Sequence, residues 1–293
     1  MKTNQTVSAV ICTIGDRQSE IDKTLKSLIT QDIKICQIVI VDQNKHKLLV
    51  PIIDKYSSFT QIDHVRIEDL NIKKSFGASW ARNVGLNYIK TDYVFFPDDD
   101  CWYPKNFVSE CLNSLKEFNV DFVCGRAADE LSKKSINAFF LNNSTMINKM
   151  NVWFTSIEWT IFYKSKIVKK VDGYDETLGV GARTKWGAAE GQDLLIRLLS
   201  KGFRGYFNYD IIGHHALVKL NANDSKNLEK LRSYGRGTGR VLMLHKYFIM
   251  FIILSLMPLF KIPLSLLKLN FNDIKARFFI SIAIFEGYFS KNG

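Results

Sequence analysis

The chain has 293 residues, 46% of them hydrophobic and 24% charged, which is ordinary globular composition with length for one large core or two domains. Its formal charge of +11 is concentrated: from Lys230 onward ten Lys and Arg face only Asp273 and Glu286, so this stretch carries +8 and the preceding body is close to neutral. No nucleic-acid-binding motif accompanies the excess, and a basic tail that is also apolar points to an anionic membrane surface, not to nucleic acid.

Five cysteines form no C-x-x-C pair and several lie inside apolar runs, as expected of reduced thiols that behave as small hydrophobes. One lysine and a few polar residues precede the first strand-like run, so no signal peptide is expected and the body should face the cytoplasm.

Val7 to Cys12 predicts a strand, followed by the turn Thr13-Ile14-Gly15-Asp16-Arg17. Ile21, Leu25 and Leu28 recur at helical spacing. Ile35 to Val41 is a second apolar run that ends in Asp42, Pro51 to Tyr56 predicts a short helix, and Asp63 to Ile67 a third strand. Gly77-Ala78 opens a helix over 79–89, and Tyr93 to Phe96 is a further strand that runs directly into Pro97-Asp98-Asp99-Asp100. This rhythm of strand and helix predicts an α/β fold, a mostly parallel Rossmann-like sheet with helices on both faces.

In such sheets ligands gather beyond the carboxyl ends of the strands. Thr13, Asp42 and the aspartate run all stand at such ends, and no G-x-G-x-x-G follows the first strand. An acid after the second strand can accept hydrogen bonds from a ribose hydroxyl or a base N–H. Three consecutive carboxylates repel one another, and a hard divalent cation, Mg²⁺ or Mn²⁺, is their natural neutraliser, usually shared with a phosphate; a solvated acidic turn is the alternative.

Farther on, Lys116 to Val123 leads into another apolar segment that ends at Cys124-Gly125-Arg126, and 132–149 is a polar, asparagine-rich loop. Its Asn143-Ser144-Thr145 is a chance sequon if the body is cytosolic. The aromatic run Trp153 to Tyr163 reads as sheet core before sugar-binding surface. A flexible loop begins at Gly179-Val180-Gly181, and Ala189 to Leu199 forms an amphipathic helix with Glu190 and Asp193 in its first turn and Gly202 after its end.

The chain then changes character. Arg232, Arg236 and Arg240 alternate with glycines, which suggests a segment facing phosphate or lipid headgroups. Tyr247 to Leu267 is apolar and long enough to span a bilayer, but Pro258, Pro263 and Lys261 interrupt it. Helices embedded in or lying on one leaflet are therefore expected, with a span, a re-entrant hairpin, or packing on the body or a partner as alternatives. The expected domains are a catalytic body over 1–235 and a basic, apolar helical tail over 236–293.

The segments "VSAVICTIGDR…LKSLITQ", "IVIVDQN", "GASWARNVGL" and "YVFFPDDDCWYP", in this order and spacing, resemble the family 2 glycosyltransferases with the GT-A fold over roughly the first 110 residues. The resemblance implies a nucleotide-sugar donor (UDP-, dTDP- or GDP-linked) bound near Thr13, Asp42 and Arg82, and a metal-binding D-x-D element at the aspartates. Alignment on Pro104 puts the family pair on Pro97 and Asp99, whereas a direct reading gives Asp98 and Asp100, so Asp98, Asp99 and Asp100 all stay candidates. It also implies a general base on the Glu190 helix. Because the family's second acid falls on Gly191, Glu190 is the first candidate and Asp193 the second. A histidine after the Ile211-Ile212 pair is expected to return to the metal or diphosphate, and the spacing prefers His214 to His215.

By analogy, the expected reaction is an inverting transfer to a glycan or lipid-linked glycan in bacterial surface polysaccharide synthesis (O-antigen, capsule or exopolysaccharide), at the cytoplasmic face of the cell membrane. A non-catalytic, membrane-bound carbohydrate-binding or scaffold protein is the rival reading. A sugar-phosphate nucleotidyltransferase is a weaker one, because "TIGDR" lacks a glycine-rich, basic first loop.

Overall fold

A computed structural model describes residues 5–69, 77–136, 138–216 and 222–290. The chain forms two compact units. The first comprises Met1–Ser75, Trp80–Gly173 and Leu194–Leu217, and the second comprises Phe76–Ser79, Tyr174–Asp193 and Val218–Gly293.

The first unit is built on a nine-stranded sheet. Strand β1 (Val7–Thr13), helix α1 (Gln18–Ile29), β2 (Gln37–Asp42), α2 (Val50–Tyr56), β3 (Gln61–Arg66), α3 (Gly77–Leu86) and β4 (Tyr93–Phe95) follow the predicted rhythm. β3, β2, β1 and β4 lie side by side and parallel. Every residue of β2 is buried, which is why it reads as an unbroken apolar run and not as an alternating one.

The expectation of a mostly parallel sheet needs correcting, because the sheet is mixed. After β5 (Cys101–Trp102), α4 (Phe107–Glu117) and β6 (Phe122–Ala127), the chain adds β7 (Thr145–Ile147) and β8 (Ile161–Lys164) with no long crossover helix in the described residues between them. Parallel neighbours need a crossover connection. Accordingly β8 runs antiparallel to both β4 and β6, while β9 (Gly205–His215) is parallel to β6 and antiparallel to β5 and β7.

Phe95, Phe107, Phe122, Phe162, Tyr163 and Phe207 are fully buried. Phe95 centres this aromatic core, with ring centroids 5.6 Å from Tyr103, 5.6 Å from Phe107 and 5.7 Å from Phe162. Trp159, at 3% exposure, is buried with Phe162 and Tyr163, so this end of the aromatic run is core, whereas Trp153 and Phe154 at its start are half-buried. All five cysteines are free.

Helix α5 (Ser165–Lys169) belongs to the first unit, and the second contains the start of α6 (Glu190–Ser200) and then α7 (Ser225–Leu244), α8 (Phe248–Leu256), α9 (Ile262–Leu267) and α10 (Phe271–Tyr288). The boundary expected at residue 235 falls inside α7. Helices α7 and α10 cross closely through glycines. A Cβ on Gly235 would lie 2.6 Å from the Ala283 Cβ, and one on Gly239 2.1 Å from the Ile284 carbonyl oxygen.

This packing also corrects the reading of the tail arginines. Arg232 and Arg236 both bind Glu286 on α10, Arg236 also reaches Glu229, and the Arg240 guanidinium stacks 4.1 Å over the Trp186 ring. These side chains join helices and a loop within the unit; their spacing with glycine reflects helix packing, not a headgroup-binding stretch. Phe248–Leu267 is long and apolar enough to cross a membrane by length and composition, but it is broken by a tight turn at Leu259–Lys261 after Pro258.

Helix α3 sits on the sheet through Gly85, where a Cβ would lie 2.3 Å from Val10 Cγ1 and 3.2 Å from Val41 Cγ2. Gly85→Ala therefore overpacks a well-filled interface and should cost about 1–3 kcal/mol in urea denaturation followed by circular dichroism. An unchanged midpoint would show that α3 has slack against the sheet.

Candidate functional site

The carboxyl ends of the parallel strands bring polar residues into one row. In register, Thr13 stands beside Asp42 and Asp42 beside Arg66, and Cys12 makes an isolated parallel bridge to Asp98. This bridge extends the β1–β4 pairing past the last residue of β4 and sets the aspartate run against the β1–α1 turn.

Each of the three aspartates meets a protein cation. Asp98 Oδ1 accepts from Arg82 Nη2 at 3.0 Å, and Arg82 is almost wholly buried. Asp99 accepts from the Thr13 hydroxyl at 2.6 Å and from Arg17 Nη1 at 3.2 Å. Asp100 is bound by the same Arg17 Nη1, and its other oxygen lies 3.0 Å from His215 Nε2. Thr13 is held in turn by the Gly15 N–H, and Gly15 has φ +75°, a left-handed turn that glycine adopts readily.

These contacts divide the aspartates electrostatically. Burial pushes the Asp99 carboxyl up to about 6, against the opposing pull of the Thr13 hydrogen bond and the Arg17 charge. Asp100 is also raised by burial, but the hydrogen bond and charge of His215 and the charge of Arg17 bring it below its ordinary value. Burial pulls the His215 imidazole down, and the Asp100 bond, the Ala216 carbonyl and the Asp100 charge carry it above its ordinary value.

The structure sets His215, not the expected His214, beside the aspartates. Successive residues of a strand face opposite ways. His214 Nδ1 meets the Ala128 carbonyl at 2.8 Å, and its ring lies 5.8 Å from that of Trp102. The spacing argument was therefore off by one residue as to which imidazole reaches Asp100.

Asp42 is completely buried, with Oδ1 accepting from the Asn44 N–H at 2.9 Å and Oδ2 3.0 Å from His64 Nε2. In this arrangement it fixes the loop after β2. A cavity of about 520 Å³ lies along the β3 edge and is lined by His64 and Arg66 among others, but by none of the three aspartates.

Among the described residues, no group of three or more His, Cys, Asp and Glu side chains is disposed as a metal cage. The donor set nevertheless suits a hard cation that takes two carboxylates and completes its shell with phosphate oxygens and water. One nitrogen of Arg17 already bridges Asp99 and Asp100, so both carboxylates converge on a single positive centre. Asp98 is turned toward Arg82 instead.

In the second unit, Glu190 opens α6 and is mostly buried. A Cβ on Gly179 would come within 3.1 Å of the Glu190 carboxyl carbon and 2.9 Å of Ser79 Oγ, so the loop at Gly179, with φ +98°, is fitted to glycine. Ala189, just before Glu190, has φ +71°, a strained conformation for a residue with a Cβ. Asp193 is buried and its Oδ1 lies 2.8 Å from His245 Nε2. The Gly187 N–H donates to the Ser233 carbonyl, and a Cβ on Gly237 would lie 2.3 Å from the Ala188 carbonyl oxygen. Helix α7 thus grips the segment that leads into Glu190.

Arg17, His215, His64 and His245 are site neighbours that the sequence reading did not select. Arg17 carried one usable signal, a cation in the turn directly after the first strand, and His215 the histidine pair after Ile211-Ile212; His64 and His245 are placed by long-range packing and carried none.

The raised Asp99 carboxyl has a pH signature. Its folded pKa exceeds the unfolded value near 4, so the folded state binds the proton more tightly, and the corresponding stability is present below pH 4 and lost as pH rises through about 6. Asp99→Asn removes this dependence. The stability difference between variant and wild type should move in the variant's favour by about 2–3 kcal/mol between pH 4 and pH 7. A flat difference in urea denaturation across that range would show that Asp99 ionises normally.

Residues 8–170 match the model described as Glycosyl transferase family 2. The chain is 31% identical over 118 residues to the glycosyltransferase GlyA of Streptococcus pneumoniae, covering 40% of this chain and 16% of that protein. It is 27% identical over 167 residues to the poly(ribitol-phosphate) beta-N-acetylglucosaminyltransferase TarP of Staphylococcus aureus, covering 56% of this chain and 47% of that protein. The chain thus spans less than half the length of these curated relatives. In fold it is similar to S. aureus TarS 1–349, with TM-score 0.59 at 16% identity over 96% of this chain and 91% of that one. It is also similar to the mannosyltransferase PcManGT of Pyrobaculum calidifontis, crystallised with GDP-Man and Mn²⁺, with TM-score 0.68 at 11% identity over 98% and 88% of the two chains. The family match takes in more than half of the sequence, and the chain belongs to glycosyl transferase family 2.

Proposed function

We propose that this protein transfers a sugar, with inversion, from a nucleoside-diphosphate donor to a hydroxyl of a glycan acceptor. The observation that carries this reading is the row of Thr13, Asp98, Asp99 and Asp100 at the carboxyl ends of β1 and β4, met by Arg82 from α3, in a chain of this family. A relative that acts on poly(ribitol-phosphate), and fold neighbours crystallised with UDP-GlcNAc or with GDP-Man and Mn²⁺, support a nucleotide-sugar donor and a bacterial surface polymer as acceptor.

In this mechanism Thr13 and Arg82 line the donor side, and the flat fork of the Arg82 guanidinium suits phosphate oxygens. Asp42 supports the nucleoside side by holding the loop after β2. Asp99 and Asp100 would hold Mg²⁺ or Mn²⁺, whose charge would offset the negative charge that builds on the departing diphosphate. Glu190 accepts the proton of the acceptor hydroxyl as that oxygen bonds to the anomeric carbon and the bond to the diphosphate breaks; a single displacement inverts the centre. Asp193, engaged by His245, supports the helix that carries this base.

The test is a screen of UDP-, dTDP- and GDP-sugars with Mn²⁺ or Mg²⁺, read as thermal stabilisation and as release of nucleoside diphosphate with a bacterial lipid extract as acceptor. Stabilisation and turnover with one nucleotide class are expected. Glu190→Gln should lose roughly 10²- to 10⁴-fold in transfer while keeping the stabilisation. Failure of every nucleotide sugar with either metal would favour the carbohydrate-binding or scaffold reading.

The second unit supports work at the cytoplasmic face of a membrane on a lipid-linked acceptor. Phe248, Ile249, Phe260, Leu267, Leu269 and Phe271 are each more than half exposed, far more apolar surface in one stretch than soluble proteins usually leave open. Lys246, Lys261, Lys268 and Lys275 accompany it, a composition that suits helices lying in an anionic leaflet. Sedimentation with vesicles should show binding to phosphatidylglycerol-rich vesicles and little to pure phosphatidylcholine, reduced several-fold in Phe260→Ser/Leu267→Ser. Equal recovery in the supernatant with and without anionic vesicles would exclude this placement.

A further inference from the structure

We propose that Arg17 is a built-in counter-cation of the Asp99–Asp100 pair and competes with a divalent cation for the same two carboxylates. The inference rests on the metal-assisted reading above and adds a residue and a function to it.

The geometry is specific to Arg17. Its single Nη1 lies 3.2 Å from Asp99 Oδ1 and also contacts Asp100 Oδ2, so one nitrogen bridges the pair as a metal ion would. The two carboxylates are held from behind by other partners: Asp99 by the Thr13 hydroxyl at 2.6 Å, and Asp100 by His215 at 3.0 Å. They do not depend on Arg17 for their position.

Accessibility differs in the same sense. The Arg17 side chain is 47% exposed, whereas those of Asp99 and Asp100 are 11% and 18% exposed. Arg82 contrasts with it: its side chain is 5% exposed and it reaches Asp98 instead. Among the described partners of this pair, Arg17 is the half-exposed one and can swing into solvent, whereas the His215 side chain is 15% exposed. A half-exposed ion pair is weak, so a divalent ion can displace it. Two adjacent anions, already placed and facing one cation, attract a double charge more strongly than a single one.

With Arg17 in place, Asp99 and Asp100 are kept from repelling each other in the absence of metal. Once displaced, its guanidinium is free to meet an anionic oxygen of whatever the cation brings with it. Arg17 thus sets how much divalent cation is needed to open the pair.

The experiment measures Mn²⁺ binding alone, without nucleotide, from the free-ion signal in electron paramagnetic resonance, for the wild type, Arg17→Ala, Arg17→Lys and Arg17→Ala/Asp99→Asn. Competition predicts that Arg17→Ala binds Mn²⁺ roughly two- to fivefold more tightly, as expected when a weak ion pair no longer opposes the metal. Arg17→Lys should fall between, and the double variant should lose the gain. Circular dichroism confirms that each variant is folded. Unchanged or weaker Mn²⁺ binding in Arg17→Ala, including the absence of binding in any variant, overturns the inference. Nucleotide-sugar turnover is scored separately. A chain that turns over a donor but shows no tightening refutes the competition alone, and one that tightens without accepting any nucleotide sugar refutes the glycosyltransferase reading alone.

Discussion

Three carboxylates in succession at the end of a buried strand are the constraint on which the first unit depends. Taken from water without partners, they would repel one another and shift toward neutrality, and the strand end would be costly to fold. The fold answers with a different partner for each direction: Arg82 from α3, Arg17 from the β1–α1 turn and His215 from β9. Because these come from widely separated parts of the sequence, compensating the aspartates also fixes how α3, the first turn and the last strand meet. Asp99 is left with a raised proton affinity, since it is the most enclosed and shares Arg17 with its neighbour.

The second unit solves a steric problem, where the first solves an electrostatic one. Its glycines stand where backbones approach too closely for a side chain. Gly237 passes over Ala188, Gly187 meets Ser233, and Gly77, with φ +86°, sits where a Cβ would be 2.4 Å from the Ala182 nitrogen. The segment that presents Glu190 is held by these contacts, by the Arg240–Trp186 stack and by the Asp193–His245 pair. The left-handed conformation of Ala189 persists because so much around it is fixed.

What the sequence disclosed follows the range of the interactions involved. The strands β1, β2 and β4 and the helices α1 and α3 were legible because apolar runs and helical spacing are local, and the aspartate run was legible because its oddity is local too. The mixed direction of the later strands was not, since it depends on how a long connection returns to the sheet. That His215, and not His214, lies beside Asp100 was hidden for a related reason. Two adjacent histidines in a strand differ only in the face they occupy, and the face is set by the pairing of Cys101 and Trp102 with β9. Asp42 was visible as an acid at a strand end, but its enclosure by His64 and the Asn44 N–H is a property of the β2–β3 pairing and the following turn.

The tail shows why composition is a poor guide to a surface. The +8 of its sequence suggested a broadly cationic segment, yet Arg232 and Arg236 are drawn to Glu286, Arg277 pairs with Asp273, and Arg240 lies on Trp186. Those four arginines work within the unit, as guanidinium groups suit shared carboxylates and aromatic faces. Lysines make up the rest of the tail's positive charge, and Lys246, Lys261 and Lys268 border the exposed apolar helices α8 and α9. An ammonium on a long stem can stay in water while its methylenes cover apolar ground. The division of labour, arginine inside and lysine beside the apolar face, is what a helical layer needs if it is to pack against itself on one side and meet an anionic lipid surface on the other.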